Sequence, residues 1–465
     1  MSRTELAVGQ EIDGFTLQER LCVGGMASIW AVSHLQHRQA LVMKLPKLRG
    51  EDDPTAIVGF EVEQMILPRL RGPHVPQVFA SGDFTEQPYL VMERIAGESL
   101  RARLDQLPLP VDEVVSLGAR IADALHDLHR QHVIHLDLKP SNILFRDDGT
   151  AVLVDFGLAH HDRLPDLLDE EFRLPLGTAP YISPEQVLYE RSEPRSDLFA
   201  LGVTLYYLLT GERPFGFPGS QAGLRQRLWR DPLPPVCLRA DCPPWLQEVI
   251  LRCLAVDPAA RFASAGELAL ILRNPEQLPL SALATKRSVD SRWQRLRRWF
   301  RAMGRETQPS GSAAAQLARA PIVMAAVDLT GGEDTLAEAL RRSTALLMSV
   351  AGEARLACVS VLKTQRIGLD FNEDAQGRNL HVKRLAALKH WAAALSLPAE
   401  RITFHVLAAP DPASALIEFA TQNQVDHLIL GARDSGILRR HLGSVSARVV
   451  AEAQCSVTVV RRPER

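Results

Sequence analysis

The stretch His135-Leu136-Asp137-Leu138-Lys139-Pro140-Ser141-Asn142 is answered thirteen residues later by Asp155-Phe156-Gly157. The first segment sets a carboxylate, an amine and an amide within eight residues that read as a loop, and the apolar run Ala151 to Val154 reads as the strand carrying the second. One carboxylate suits the handling of a hydroxyl nucleophile, and an Asn/Asp oxygen pair suits a hard divalent cation such as magnesium. This is the equipment of phosphoryl transfer. A solvated loop that happens to hold Asp and Asn is the bland alternative, and the correctly placed second motif weighs against it.

The two segments resemble the catalytic core of the protein-kinase superfamily, H-R-D-L-x-x-x-N followed by D-F-G, with Leu136 as the one departure. The resemblance implies a bilobal kinase fold with ATP and magnesium as ligands. It makes Asp137 the base, Lys139 the stabiliser of the transferring γ-phosphate, and Asn142 and Asp155 the magnesium ligands. A lysine two residues after Asp137 is similar to Ser/Thr kinases rather than tyrosine kinases. Upstream, the segment Leu21 to Trp30 looks like the phosphate-covering loop G-x-G-x-x-G-x-V. Cys22 stands at its first glycine, Gly24 at the second and Ala27 at the third, with Val23, Gly25, Met26 and Ile29 completing it. Glycines in a hairpin often serve only the turn. Backbone approaches phosphate most easily without a side chain, so Cys22 and Ala27 are expected to weaken or reshape nucleotide binding.

Leu41-Val42-Met43-Lys44 is similar to the V-A-I-K strand, which puts Lys44 on the α- and β-phosphates. In the helix expected over about 54–71, counting back from Arg69-Leu70 assigns Glu63 as its ion-pair partner. Glu61 is the runner-up, and a solvated helix charge is the bland reading of each. Tyr89 to Ile95 reads as a buried strand entering a hinge, where backbone groups of Glu93 and Ile95 would meet adenine and Met92 would back the pocket; a core methionine reads the same way. Apolar residues from Val114 to Leu128 recur at helix period, predicting a helix over 111–131 that leads into the catalytic loop.

Leu136 stands where many kinases carry an arginine that clamps a phosphorylated activation segment, and leucine cannot bind phosphate. Residues 158–176 contain no Ser, Thr or Tyr. The two facts agree on an activation segment held by packing rather than by its own phosphorylation. The pair His160-His161 reads as solvated loop. Gly177-Thr178-Ala179-Pro180-Tyr181-Ile182-Ser183-Pro184-Glu185 resembles G-T-x-x-Y-x-[AS]-P-E, which shapes a peptide-substrate pocket; Thr178 would bridge Asp137 and Lys139. Asp197 and the pair Glu185–Arg261 match structural positions of the family.

At 465 residues the chain needs more than one core. Its 46% hydrophobic and 23% charged residues are those of a globular protein, and a net charge of −2 does not advertise nucleic acid as a partner. The first fourteen residues lack the apolar core of a signal peptide, and the longest apolar run, Leu198 to Leu209, is too short for a bilayer and reads as a buried helix. Six scattered cysteines without a C-x-x-C pair read as free thiols of a cytoplasmic protein rather than as a zinc site.

The kinase-like pattern spans 1–273, with a small lobe over about 10–94 and a large lobe over 95–273. Residues 274–320 read as a linker. Within it, 286–305 hold eight Lys/Arg against one Asp, with Trp293, Leu296, Trp299 and Phe300 at helical spacing. That basic amphipathic helix has two readings, an interdomain linker helix or a contact with an anionic membrane, and the first is preferred. Gln308 to Ala320 reads as a flexible tether.

Over 321–462 five strand-like runs alternate with helix patterns, predicting a doubly wound parallel sheet. Asp328 ends the first strand, where ligands of such sheets gather. Gly431 follows the fourth, and Gly443-Ser444 opens a helix suited to phosphate. The domain resembles the universal stress protein family, whose ATP-binding members carry G-x-x-G, nine residues and G-[ST]; here Asp434 replaces the second glycine and the gap is eight. A second nucleotide at Asp328, Gly431, Gly443 and Ser444 and an empty, dimerising or regulatory fold are both open. The reading as a whole is a cytoplasmic bacterial-type Ser/Thr protein kinase acting on protein substrates, regulated by a stress-protein domain through which a homodimer would form. The alternative is a catalytically weak pseudokinase, a nucleotide-binding scaffold, on the strength of Cys22, Ala27 and Leu136.

Overall fold

The computed structural model describes residues 6–24, 27–47, 54–84, 87–289, 292–303, 320–330, 335–364, 379–432 and 443–461. Gly25, Met26, Asp434 and the tether before Ala320 lie outside the described residues. The first lobe is a six-stranded antiparallel sheet of order β1-β2-β3-β4-β6-β5. Its strands are β1 (Glu11–Ile12), β2 (Phe15–Val23), β3 (Ala27–His34), β4 (His37–Pro46), β5 (Val78–Gly82) and β6 (Tyr89–Glu93). One face buries Phe15, Leu17, Trp30, Leu41 and Met43 together. Between β4 and β5 runs α1 (Pro54–Ile66), which continues only as a 3₁₀ turn, Leu67–Arg69. The helix expected to reach residue 71 stops early because Pro68 lacks an N–H and its ring crowds the carbonyl four residues back.

The second lobe is mostly helical. It comprises α2 (Val111–Arg130), α3 (Leu167–Glu171), α4 (Pro184–Val187), α5 (Arg195–Thr210), α6 (Gln221–Arg225), α7 (Pro244–Cys253) and α8 (Ala265–Arg273). Two small hairpin-like pairs cross it: β7 (Val133–Ile134) with β10 (His160–His161), and β8 (Ile143–Phe145) with β9 (Ala151–Leu153). α5 is apolar all round and nearly all buried, as the run Leu198 to Leu209 requires. The polypeptide beyond residue 273 stays strapped to this lobe. Gln247 Nε2 donates to the carbonyls of Leu283 (2.8 Å) and Lys286 (2.9 Å), and Ser281 Oγ to Glu248 (2.8 Å). In α9 (Arg292–Met303) Trp293 is 80% exposed, and Leu296, Trp299 and Phe300 are exposed too. Lys286 and Arg298 both reach Asp231, at 2.8 and 2.5 Å.

The C-terminal domain is the expected parallel sheet, of order β13-β12-β11-β14-β15, covered on both faces. Its elements are β11 (Ile322–Ala326), α10 (Thr335–Val350), β12 (Arg355–Lys363), α11 (Leu380–Ala393), β13 (Ile402–Ala409), α12 (Pro412–Gln422), β14 (His427–Gly431), α13 (Ser444–Glu452) and β15 (Ser456–Val460). Met324, Ala357, Val359 and Leu428 fill one face and Val323, Ala325, Leu356 and Ile429 the other, the period-two alternation of a sheet buried on both sides. Leu385 and Val406 of this domain belong to the same apolar cluster as α1 and α2. The two domains share a core.

Gly97 sits where a Cβ would stand 1.7 Å from the carbonyl oxygen of Phe145, whereas nothing lies within 4 Å of a Cβ at Gly219. Gly97→Ala should cost about 1–3 kcal/mol by overpacking, lowering the melting temperature in calorimetry, with Gly219→Ala unchanged as its control.

Candidate active site

The cleft between the lobes is assembled from five separate segments. From β4, the Lys44 ammonium reaches Glu63 of α1 and Asp155 Oδ1 (2.7 Å). Glu63 is 1% exposed, and its other oxygen accepts from the Phe156 backbone N–H (3.3 Å). Of the two candidate glutamates, Glu63 is the one that meets Lys44. Glu61 instead pairs with Lys389 of the C-terminal domain at 2.5 Å, so neither is a solvated charge. Burial works against the Lys44 charge, but Asp155 and then Glu63 outweigh it and hold the ammonium well above its ordinary value. Lys44 in turn draws the Asp155 carboxyl down to about 2. The Asp155 side chain is 45% exposed and opens onto the cleft.

Asp137 anchors the second part. Its Oδ1 accepts from the backbone N–H (2.8 Å) and the hydroxyl (2.7 Å) of Thr178, and its Oδ2 from Lys139 (2.6 Å). Lys139 also donates to the Thr178 hydroxyl at 2.8 Å. Asn142 Nδ2 donates to the Asp137 carbonyl (3.0 Å), which commits its amine end inward. The amide oxygen of Asn142 and the open carboxylate of Asp155 are then an oxygen set that fits magnesium.

The catalytic loop and the turn after β9 both bend sharply to do this: Leu136 in the first and Asp155 in the second have φ of 60° and 69°, in the left-handed region that non-glycine residues avoid. Asp197, fully buried, holds the bend by accepting from the backbone N–H groups of His135 and Leu136, both at 2.9 Å, and from His129 Nε2 (2.9 Å). Burial pushes the Asp197 carboxyl up, but His129 more than offsets it, leaving the group below its ordinary value. Leu136 is 2% exposed, and Gln186 donates to its carbonyl (2.8 Å). Its side chain is a core residue.

The loop over β2 and β3 is a hairpin in which Gly24 donates to the Ala27 carbonyl (2.9 Å). Cys22 and Val23 are exposed, Ala27 is buried and Ile29 packs partly on the core. At the hinge, Met92 is buried and Ile95 half-buried. The Glu93 N–H is spent on the Gln77 carbonyl (2.8 Å), and its side chain on Arg146.

His160 departs from the solvated loop expected of it. It lies in β10, and its Nδ1 meets Asp166 (2.9 Å), which also takes Arg191 (2.7 Å). A pairing partner in β7 and a partly buried carboxylate together explain the difference. Sequence reasoning also missed Arg227, 1% exposed, whose guanidinium donates to the Ile182 and Ala179 carbonyls and so props the segment after Thr178. Burial alone pulls it down to about 10. Nothing in its local pattern announces this role. Beside Thr178 and Lys139 lies a groove of about 680 Å³ lined also by Ser99, Tyr181, Arg213 and Phe217.

In the C-terminal domain Asp328, Gly431, Gly443 and Ser444 do converge, on a cavity of about 1050 Å³. Lys363, Thr364 and Asp411, not singled out by pattern, line it too. Among the described residues no group of three or more His, Cys, Asp or Glu is placed to hold a metal ion, and the cysteines are free thiols.

The protein kinase domain model matches residues 15–269, more than half of the chain. The chain belongs to the protein kinase domain family. Behind the kinase domain, residues 321–461 match the universal stress protein family, so the chain is a kinase domain fused to a stress-protein domain. Serine/threonine-protein kinase PknL of Mycobacterium tuberculosis is 32% identical over 252 residues, 54% of this chain and 63% of that protein. Serine/threonine-protein kinase Pkn1 of Myxococcus xanthus is 32% identical over 321 residues, 68% of this chain and 43% of that one. The chain thus spans less than two thirds of these relatives' length. Among solved structures, the kinase domain of Mycobacterium tuberculosis PknI is 26% identical, with a TM-score of 0.46 over 58% of this chain and 99% of that one.

The large lobe of the kinase domain is braced by a fully desolvated pair: Arg261 reaches both oxygens of Glu185, at 2.5 and 2.8 Å. Arg261→Ala leaves that carboxylate buried without a counter-charge, with the Ser196 hydroxyl (2.7 Å) still donating to it, and should cost roughly 3–5 kcal/mol, read as a loss of unfolding free energy in denaturant titration.

Proposed function

We propose that the chain is a Ser/Thr protein kinase that transfers the γ-phosphoryl group of magnesium-ATP to Ser or Thr hydroxyls of other proteins in the cytoplasm. The observation that carries this is the Asp137–Lys139–Thr178 triangle, with every edge between 2.6 and 2.8 Å. In this reading Asp137 orients the substrate hydroxyl and takes its proton, and Lys139 neutralises charge on the transferring group. Thr178 holds both in register and forms the edge of the peptide groove. Lys44, fixed by Glu63, positions the α- and β-phosphates. The loop from Cys22 to Ile29 covers the phosphates, and Met92, Glu93 and Ile95 receive the adenine. Asn142 and Asp155 would hold magnesium, which neutralises the phosphate oxygens when bound. Positioning and charge neutralisation supply most of the rate in such chemistry.

We further read the stress-protein domain as the regulator of the kinase domain, with the 1050 Å³ cavity at Asp328, Gly431, Gly443 and Ser444 as the place of a second nucleotide or similar ligand. Its open sheet edge, β15, is the surface through which a homodimer would form. α9 serves as the linker helix, and the exposure of Trp293 and Phe300 is the observation that favours a membrane contact as the second reading. No helix among the described residues is long and apolar enough to cross a membrane.

The test is phosphate transfer from labelled magnesium-ATP to a generic basic protein. Asp137→Ala should lower kcat by roughly 10²–10⁴-fold with ATP still bound. Absence of transfer by the unaltered chain, with ATP bound, would put the nucleotide-binding scaffold in its place.

A further inference from the structure

Glu61 and Glu63 lie two residues apart on α1, about 200° around the helix, so they point to opposite sides. Glu63 holds Lys44 in the cleft, while Glu61 turns outward to the C-terminal domain and Lys389 of α11 at 2.5 Å. The Lys389 ammonium also lies over the Phe84 ring, 4.9 Å from its centre. The same domain grips the activation segment. Glu170 of α3 takes Arg355 (2.7 Å) and His405 Nε2 (3.0 Å). Glu171 faces His405 Nδ1 at 3.6 Å and His381 at 4.0 Å. Asn423 donates to the Glu170 carbonyl (3.2 Å), and Arg173 to that of Gln422 (3.3 Å). Around these charges Leu362, Val382, Leu385, Phe404 and Val406 close onto the kinase core.

Three acids of the kinase domain, Glu61, Glu170 and Glu171, thus face three bases of the stress-protein domain, Lys389, Arg355 and His405. The acids sit on the two elements whose placement decides phosphoryl transfer: the helix carrying Glu63 and the segment leading to Thr178. An activation segment clamped through a phosphate needs an arginine beside the catalytic aspartate; here that position is Leu136 and residues 158–176 hold no acceptor. Here α3 brings carboxylates to the activation segment, and the second domain brings the cations that meet them.

Resting on the kinase reading above, we propose that Lys389, Arg355 and His405 are positioning residues for the transfer reaction, the stress-protein domain holding α1 and α3 in their working places in the absence of activation-segment phosphorylation. The domain is therefore an activating partner in cis. Its grip also has a pH signature. Burial disfavours a charged His405, but Glu170 and Glu171 overcome it and raise the group to about 9. The groups facing it are Glu170 and Glu171 from α3, Arg355 from β12 and Thr403 from its own strand. Next to these, His381 of α11 meets Glu171 at 4.0 Å, and Lys389 of α11 pairs with Glu61 of α1. A raised histidine contributes attraction that is complete below its ordinary value of 6.5 and lost as pH rises through about 9.

The experiment measures kcat and KM for ATP in the full chain carrying Lys389→Gln, Lys389→Glu, Glu61→Lys, or the exchange Lys389→Glu with Glu61→Lys. Each single change should lower kcat/KM by roughly 5- to 150-fold, the usual range for coupled sites, and the exchange should recover activity well above either charge-reversed parent. In the unaltered chain kcat/KM should fall as pH rises through about 9, and His405→Gln should remove that step. Full activity of Lys389→Gln and Lys389→Glu, or an exchange that folds by circular dichroism yet recovers nothing, overturns the proposal. An inactive unaltered chain is a different result, which overturns the kinase reading itself.

Discussion

One ammonium group ties the catalytic half of this molecule together. Lys44 sits between Glu63, delivered by α1, and Asp155, delivered by the turn after β9, and the two carboxylates together outweigh the burial that disfavours its charge. Remove either carboxylate and part of what offsets the cost of desolvating the lysine is lost. The position of α1 is therefore an electrostatic requirement as well as a packing outcome, and whatever fixes α1 fixes the charge pattern of the cleft.

Two layers of buried polar structure carry that constraint outward. Inside the large lobe, Asp197 holds the left-handed backbone at Leu136, and Glu185–Arg261 braces the segment that presents Thr178. On the outer side, α1 and α3 rest on β13 and α11 of the stress-protein domain. Desolvation of ion pairs offsets much of their attraction, so such pairs set register more than they add stability. On this account the apolar contacts of Leu385 and Val406 hold the domains together, and the charged groups decide how they sit.

Much of this was legible in the chain. The catalytic loop, the strand bearing Lys44 and the five parallel strands could be read because each is a local pattern: an eight-residue motif, an apolar run ending in an amine, a period of two. Counting back from Arg69-Leu70 selected Glu63 over Glu61, and in the cleft Glu63 is the one that reaches Lys44. Other features depend on partners far away in sequence, and no local pattern carries them. His160 reads as loop until Asp166 and β7 are placed around it. Arg227 reads as a surface cation in a polar stretch until its carbonyl partners close over it. The interdomain charges are the clearest case, since Glu61 and Lys389 are ordinary helix-surface residues in isolation and meet only because two cores merge. The early end of α1, by contrast, was written in Pro68.

The active geometry proposed above needs no phosphate on the activation segment. Its most direct measurement is the time course of phosphate transfer by the full chain after complete dephosphorylation, confirmed by intact mass. A linear course from the first turnover at the full rate is expected. A lag that shortens as the chain autophosphorylates, or a rate restored only by prior incubation with ATP, would contradict it.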